Sequence, residues 1–185
     1  YAVTNNHLAT NWLGLLACAE GLPEWPEAPR WRALALRGLR EAIAEQVNRD
    51  GTSFEGSLPY QRFAIEIFAA GAVIAHAARR PLGSSYARPL AGLFRSTRAL
   101  LTAAGEIPQI GDNDAGRVFV LRERGPTEGG YLLPLGAALF RDPRLLARPP
   151  GADAVEVAWL FGPRALAALA VGRPGRPPGS ASFPE

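Results

Sequence analysis

The sequence has no methionine and no lysine, and it has a single cysteine, Cys18, among 185 residues. One cysteine excludes an internal disulfide framework and any Cys-x-x-Cys metal site. No run approaches the roughly 18–20 uninterrupted apolar residues of a membrane span. Because the chain opens without methionine, at Tyr1 and directly on helix-like sequence, we interpret it as an internal piece of a longer protein, in which no targeting leader would be visible.

The amino-acid composition is typical of one folded domain. Hydrophobic residues make up 48% of the chain and charged residues 20%, which excludes wholesale disorder. All basic residues are arginines, and the formal net charge is only +3. A charge this small does not argue for a nucleic-acid partner, so any anion-binding role depends on where individual arginines lie.

The hydrophobic pattern predicts an all-α fold. Apolar residues recur at helical spacing between loops that are rich in proline and glycine. Residues 118–121 are a short β-branched run and the one candidate strand. Successive antiparallel helix pairs without a credible sheet predict an α-helical barrel or solenoid, and the absence of a strict repeat argues against a regular array. The predicted helices span 4–21, 30–48, 59–78, 87–104, 129–140, 143–148, 153–162 and 163–170.

Three polar clusters interrupt this apolar pattern where predicted helices meet loops. Functional sites on helical scaffolds commonly form at such junctions. The first cluster holds Asn5, Asn6 and His7; the second holds Glu55, Ser57, Tyr60, Gln61 and Arg62; the third, in the string GDNDAGR, holds Asp112, Asn113, Asp114 and Arg117.

Each cluster also has a structural interpretation. Asn5 or Asn6 is a suitable helix N-cap, and Tyr60 is a suitable core aromatic. The string GDNDAGR has the acidic spacing of a calcium loop. Its twelfth position, Glu123, is crowded by arginines and follows the apolar string VFVL, which is not a ligand loop. We therefore predict no metal site in this segment.

Taken together, the clusters resemble the heparinase II/III-like polysaccharide lyases, which include heparan-sulfate lyases and alginate lyases. The resemblance rests on NNHLATNWLGL, EQVNRDGTSFEGSLPYQR and IPQIGDNDAGR, with a weaker echo in AWLFG, and it covers most of residues 3–162. It implies a partial (α/α) toroid, with residues 1–171 as the C-terminal part of the toroid. Residues 172–185 would then be a linker toward a missing antiparallel β-sandwich domain.

The resemblance implies β-elimination at a uronic acid. The proton at C5 is weakly acidic because the adjacent carboxylate is negative, so an enzyme has to neutralise that carboxylate, remove the proton and protonate the leaving oxygen. An asparagine amide neutralises without adding negative charge, a tyrosine hydroxyl donates or accepts, and a histidine acts as a base near neutral pH. The 54 residues from Asn6 to Tyr60 span enough helix to return the chain to the same end of a barrel.

The resemblance also assigns a role to each site residue. Asn6 corresponds to the asparagine that neutralises the carboxylate, His7 to the histidine that assists proton abstraction, and Tyr60 to the catalytic tyrosine. Gln61 stands where a histidine often follows this tyrosine in the family. This branch is therefore expected to differ in reaction rate or in substrate. Substrate binding falls to Asn5, Gln61, Arg62 and Arg117, and structural support to Glu55, Asp112 and Asp114, with no cofactor in this segment.

Two other function classes stay open at this point. One is a glycan-binding toroid that has lost turnover, and the other is a glycoside hydrolase that uses Glu55 and Asp112 as its carboxyl pair. The resemblance favours the lyase, acting on a uronate-containing polysaccharide in the periplasm or outside a bacterial cell. Its other partners would be the missing helices before Tyr1 and the missing β-sandwich, so we expect the isolated segment to be inactive.

Overall fold

The computed structural model describes residues 4–149, 151 and 154–175, and every regular element in these residues is helical. The predicted all-α class is therefore confirmed. A 3₁₀ turn, Pro143–Leu145, lies between the last two helices. The helices are α1 (Asn6–Gly21), α2 (Ala28–Gln46), α3 (Leu58–Ala77), α4 (Ser84–Leu100), α5 (Leu132–Phe140) and α6 (Val155–Val171).

The strand predicted at residues 118–121 is wrong. The backbone N–H groups of Val118 and Phe119 donate to the carboxylate of Glu66 on α3, at 2.5 and 3.0 Å, instead of to a neighbouring strand. The β-branched run is therefore an extended segment held by one buried side chain. The helix predicted over 143–148 is only the 3₁₀ turn.

The two short helices predicted near the C-terminus form one helix, α6, with a break inside it. Gly162 has a non-helical backbone (φ 80°) and Pro163 follows it, at the boundary that the sequence predicted. Residue 153, the first of that predicted pair, lies outside the described residues. So does most of the predicted linker, since the description ends at residue 175.

Helix α3 is the centre of the domain. It packs against α1, α2, α4 and α5, and residues on every side of it are buried. Leu39, Ile65, Phe68 and Phe94 are fully enclosed in the core around it. A helix that is apolar almost all round is stable only when its neighbours cover it, so the start of α3 is held in place from several directions.

The toroid itself stays a prediction, as does the division at residue 171. The packing of α1 against α2, and of α5 against α6, is compatible with helical pairs. Within the described ranges, no helix combines the length and hydropathy that crossing a membrane requires.

Candidate active site

The first polar cluster begins helix α1. Asn5 is the N-cap, and its Oδ1 accepts a hydrogen bond from the Leu8 N–H at 3.3 Å. The buried amide of Gln46 donates to the Asn5 carbonyl at 2.9 Å, which ties this turn to the end of α2. Asn5 is therefore committed to capping, and Asn6 becomes the first helical residue, in a fixed position.

Asn6 is bound to Glu55, a residue from the second cluster. The Asn6 backbone N–H donates to Glu55 Oε1 at 2.9 Å, and the Asn6 Nδ2 lies 3.1 and 3.0 Å from the two carboxylate oxygens. Asn6 is only 8% exposed. We predicted that Glu55 braces a loop or orients an arginine; the contact that the structure shows is with this asparagine.

The second and third clusters meet at the start of α3. Ser57 caps this helix by accepting from the Tyr60 N–H at 3.2 Å, and its hydroxyl donates to the Asp112 carbonyl at 2.5 Å. The Leu58 N–H donates to the Ile110 carbonyl at 3.0 Å. The loop of residues 110–114 is thereby docked on the first turn of α3.

This docking places Asp114 against Tyr60. The Tyr60 hydroxyl donates to Asp114 Oδ2 at 3.0 Å, while Asp114 Oδ1 accepts from the Gly116 N–H at 3.0 Å. The hydrogen bond to the Asp114 carboxylate raises the pKa of Tyr60, and the negative charges of Asp114, Asp112 and Glu55 raise it further. Tyr60 is thus held as a neutral phenol with a directed hydroxyl.

The docking depends on a glycine, which gives a first testable prediction. Gly111 has φ +79°, and a Cβ there would lie 2.7 Å from Ser57 Cα. Gly111→Ala combines left-handed strain, about 1–2 kcal/mol for a residue with a Cβ, with a clash against backbone. We expect it to lower the free energy of unfolding by more than that strain and to displace the loop that carries Asp114, as measured by urea unfolding.

Gly56→Ala is the matched control. Gly56 also has positive φ (+67°), but no atom lies within 4 Å of its would-be Cβ. This variant carries the backbone strain alone, so its loss of stability should be smaller. Equal losses in the two variants would show that the contact between residue 111 and Ser57 does not hold the loop.

Gln61 and Arg62 point into the protein. Gln61 Oε1 accepts from the Ser53 N–H, and its Nε2 donates to Ser96 and Thr97, all within 3.1 Å. Arg62 is 1% exposed; its Nη1 donates to the Pro126 carbonyl at 2.6 Å, and its Nε has no hydrogen-bond partner among the described residues. In the unliganded protein both side chains are therefore engaged inside the fold, and the direct substrate contact predicted for them stays a prediction.

Arg117 is likewise turned inward. Its Nε donates to Glu66 Oε1 at 2.8 Å, and one of its terminal nitrogens donates to the Phe119 carbonyl at 2.8 Å. Its side chain is 13% exposed. In the unliganded protein this guanidinium therefore holds an internal carboxylate, and the contact with a substrate anion stays a prediction.

Glu66 and the residues around it form a buried polar network that the sequence reasoning missed. Glu66 also accepts from the Tyr131 hydroxyl, and Arg124 forms two hydrogen bonds to Glu156, at 2.9 and 2.8 Å. Both arginines, Arg117 and Arg124, lie over the ring of Tyr131, at 4.7 and 4.3 Å from its centroid. Burial raises the pKa of Tyr131 well above its usual value, and the Glu66 charge adds to this. The network anchors the segment after the GDNDAGR loop to α3 and α6.

The structure thus pairs Asn6 with Glu55 and Tyr60 with Asp114, and it holds the Asp112 carbonyl on Ser57. The charge of Glu55 also contributes to the raised pKa of Tyr60. His7 is exposed beside Asn6 as the second residue of α1. A separate cleft of about 440 Å³, between the end of α4 and residues 146–149 and 151, is lined by none of the predicted site residues.

No group of three or more histidine, cysteine, aspartate or glutamate side chains in the described part of the chain is arranged to hold a metal ion. The polar side chains of the GDNDAGR loop accept hydrogen bonds from the backbone of the same loop instead. Asp112 Oδ1 accepts from the Asn113 N–H at 3.1 Å, and Asn113 Oδ1 accepts from the Ala115 N–H at 2.9 Å. These contacts shape the turn that presents Asp114 to Tyr60.

Comparison with known families identifies the family of this chain. The family model for the heparinase II/III N-terminus matches residues 1–123, about two thirds of the chain. The chain belongs to the heparinase II/III family. No curated protein and no solved structure matches it. The matched span contains every predicted site residue, and membership relates this heparinase II/III domain to polysaccharide lyases.

Proposed function

We propose that this heparinase II/III family protein is a polysaccharide lyase that cleaves a uronate-containing acidic polysaccharide by β-elimination. The observation that carries the proposal is the arrangement of Asn6 and Tyr60. Asn6 presents an amide and a backbone N–H that hold a carboxylate, and Tyr60, near the same Glu55, presents a protonated hydroxyl. These are the donors that β-elimination next to a carboxylate needs.

In the proposed reaction, the uronate carboxylate accepts hydrogen bonds from Asn6. Neutralising its charge makes the C5 proton easier to remove, and a base takes that proton. The electron pair left at C5 forms the C4–C5 double bond while the bond from C4 to the leaving oxygen breaks. The leaving oxygen receives a proton, and the products are a new chain end and an unsaturated uronate.

Tyr60 suits the acid in this scheme. A tyrosine is protonated at neutral pH in any case, and Asp114 and the neighbouring carboxylates raise the pKa of Tyr60 further while Asp114 directs its hydroxyl. We assign the base to His7, which is exposed one residue after Asn6 and carries an imidazole, the side chain that most often serves as a general base. Gln61, Arg62 and Arg117 then support the scaffold on which these groups stand.

The remaining parts of the proposal come from the resemblance to alginate and heparan-sulfate lyases. They are a bacterial source, a periplasmic or secreted location, and a longer protein with a β-sandwich after the toroid. A polymeric substrate is consistent with such a location, since a long acidic chain would meet the enzyme outside the cytoplasm.

The test is to incubate the full-length protein with alginate, heparan sulfate and hyaluronan and to follow ultraviolet absorbance. Only elimination creates a double bond conjugated with the carboxylate, so a rise in absorbance identifies a lyase. New reducing ends without absorbance would identify a hydrolase, and binding without new ends would identify a glycan-binding module. Either of these results would overturn the proposal.

The contact between Asp114 and Tyr60 predicts the pH profile. Asp114 is the largest cause of the raised pKa of Tyr60, so Asp114→Asn lowers that pKa toward its ordinary value. A required acid is lost as pH rises through its pKa. We therefore expect the alkaline limb of the plot of kcat/KM against pH to move to lower pH in Asp114→Asn.

Asp112→Asn provides a graded comparison, because Asp112 acts on Tyr60 through its charge alone and more weakly. Its alkaline limb should move in the same direction by less. An unchanged limb in Asp114→Asn would show that the acid is a group other than Tyr60. A shift to higher pH would contradict the assigned sign.

A further inference from the structure

The unliganded site already contains a carboxylate at the place where the proposed function needs one. Glu55 receives the backbone N–H of Asn6 and lies within 3.1 Å of the Asn6 amide nitrogen through both carboxylate oxygens. Glu55 comes from a loop 49 residues away, so this is a tertiary contact and not a local cap. Both donors that would receive a uronate carboxylate are engaged.

The surroundings favour an anion at this point. Asn6 is the first residue of α1, where backbone N–H groups are unpaired within the helix and the helix dipole is positive. The amide adds donors without a charge of its own. A carboxylate of Glu55 and a carboxylate of a uronate satisfy these donors in the same way.

We infer that Glu55 stands in for the substrate carboxylate on Asn6, and that a uronate has to displace it in order to bind. This inference rests on the proposed function, because it concerns the same asparagine. Two carboxylates that share one amide would repel each other in a partly buried position, so binding of one excludes full engagement of the other.

The loop that carries Glu55 allows the exchange. The segment is anchored on both sides of Glu55, by the Phe54 N–H on the Gln46 carbonyl at 3.0 Å and by Ser57 as the cap of α3. Glu55 itself is partly exposed. Rotation of the side chain alone therefore releases Asn6 while the backbone stays in place. Neutral sugars bring no carboxylate to replace Glu55, so they do not displace it from Asn6.

The first arm of the test measures KM in the full-length protein with whichever uronate polymer it degrades. Glu55→Gln replaces a charged acceptor with a weaker neutral one of the same shape. Hydrogen bonds to charged groups exceed neutral ones by about 1 kcal/mol, so KM should fall roughly three- to tenfold. Glu24→Gln, an exposed glutamate in the loop after α1, should leave KM unchanged. A higher KM in Glu55→Gln would show that Glu55 orients Asn6 for substrate, and would overturn the inference.

The second arm does not depend on lyase activity. In the full-length Glu55→Ala variant, sodium propionate is titrated while the NMR signals of the Asn6 side-chain amide are followed. Propionate carries a carboxylate on a short alkyl chain, as a glutamate side chain does, so it should return these signals toward their wild-type positions. The wild type should show no such response. Absence of a response in Glu55→Ala would overturn the inference even if the protein proves to be a lyase. If the variant responds but the protein makes no unsaturated product, the carboxylate exchange stands and only the proposed reaction is refuted.

Discussion

Tyr60→Phe should lower the turnover of the full-length protein on a uronate polymer by about 10²–10⁴-fold, the range typical of a general acid or base. The change removes one oxygen and keeps the ring. Under the proposed mechanism, the leaving oxygen then departs without a positioned proton donor. The measurement is the initial rate of absorbance by unsaturated ends, at saturating substrate and at the wild-type pH optimum.

The structure predicts that this loss is catalytic and not a loss of folding. Tyr60 is partly exposed, and within the described part of the chain its hydroxyl bonds to one side chain, that of Asp114, which is itself exposed. Its backbone N–H, which completes the cap by Ser57, is unaffected by the substitution. The free energy of unfolding should therefore change by well under about 1 kcal/mol, as surface substitutions generally do.

Tyr86→Phe is the matched control, because it makes the same chemical change in the core. The Tyr86 hydroxyl is buried and donates to the Phe68 carbonyl at 2.8 Å. Its loss should cost about 1 kcal/mol of stability, the net value of a typical hydrogen bond, and leave turnover unchanged. Near-normal turnover in Tyr60→Phe would mean that another group protonates the leaving oxygen.

Much of the fold was predictable because local signals and packing agree in it. Asn5 and Ser57, both good cap residues, begin α1 and α3 as such residues do. Gly162 and Pro163 mark the break in α6 at the predicted boundary. The helical spacing of the apolar residues over 59–78 predicted α3 to within one residue at each end. In each case the signal lies within a few residues of the feature that it predicts.

The direction of neighbouring side chains was the harder part of the site. Tyr60, Gln61 and Arg62 are consecutive in α3, so their side chains leave the helix about 100° apart. When Tyr60 faces Asp114 at the surface, the next two residues turn toward α4 and toward residues 125–126. The family string predicted three site residues in a row, and in the structure only the first of them, Tyr60, is turned outward.

Only one member of the buried network could be recognised from the sequence, and its partners could not. Glu66 is a lone charge in the apolar run of α3, and a charge at such a position predicts a buried partner or a function. Its partners Arg117 and Tyr131 lie 51 and 65 residues away. No local pattern indicates which arginine or tyrosine returns to a given glutamate, so only the tertiary structure identifies the network.

Glu66→Ala should lower the free energy of unfolding by about 3–5 kcal/mol, the usual cost of removing one partner of a buried ion pair. Glu66 is 0% exposed and accepts from Arg117, Val118, Phe119 and Tyr131. Its removal leaves a largely buried guanidinium without its nearest carboxylate, since the next one, on Glu156, is 3.9 Å away. Urea unfolding followed by the helical circular dichroism signal measures the loss.

Glu41→Ala is the matched control on α2. Glu41 is paired with Arg37 at 3.9 Å, but both side chains are more than 60% exposed. An exposed pair contributes about 0–1 kcal/mol, so this variant should remain close to the wild type. Glu66→Gln keeps the shape and one acceptor oxygen but not the charge, so its loss should fall between the two alanine variants. If Glu66→Ala were no more destabilising than Glu41→Ala, the segment after the GDNDAGR loop would be held by its other contacts. In that case the contact between Gly111 and Ser57 would by itself position Asp114 beside Tyr60.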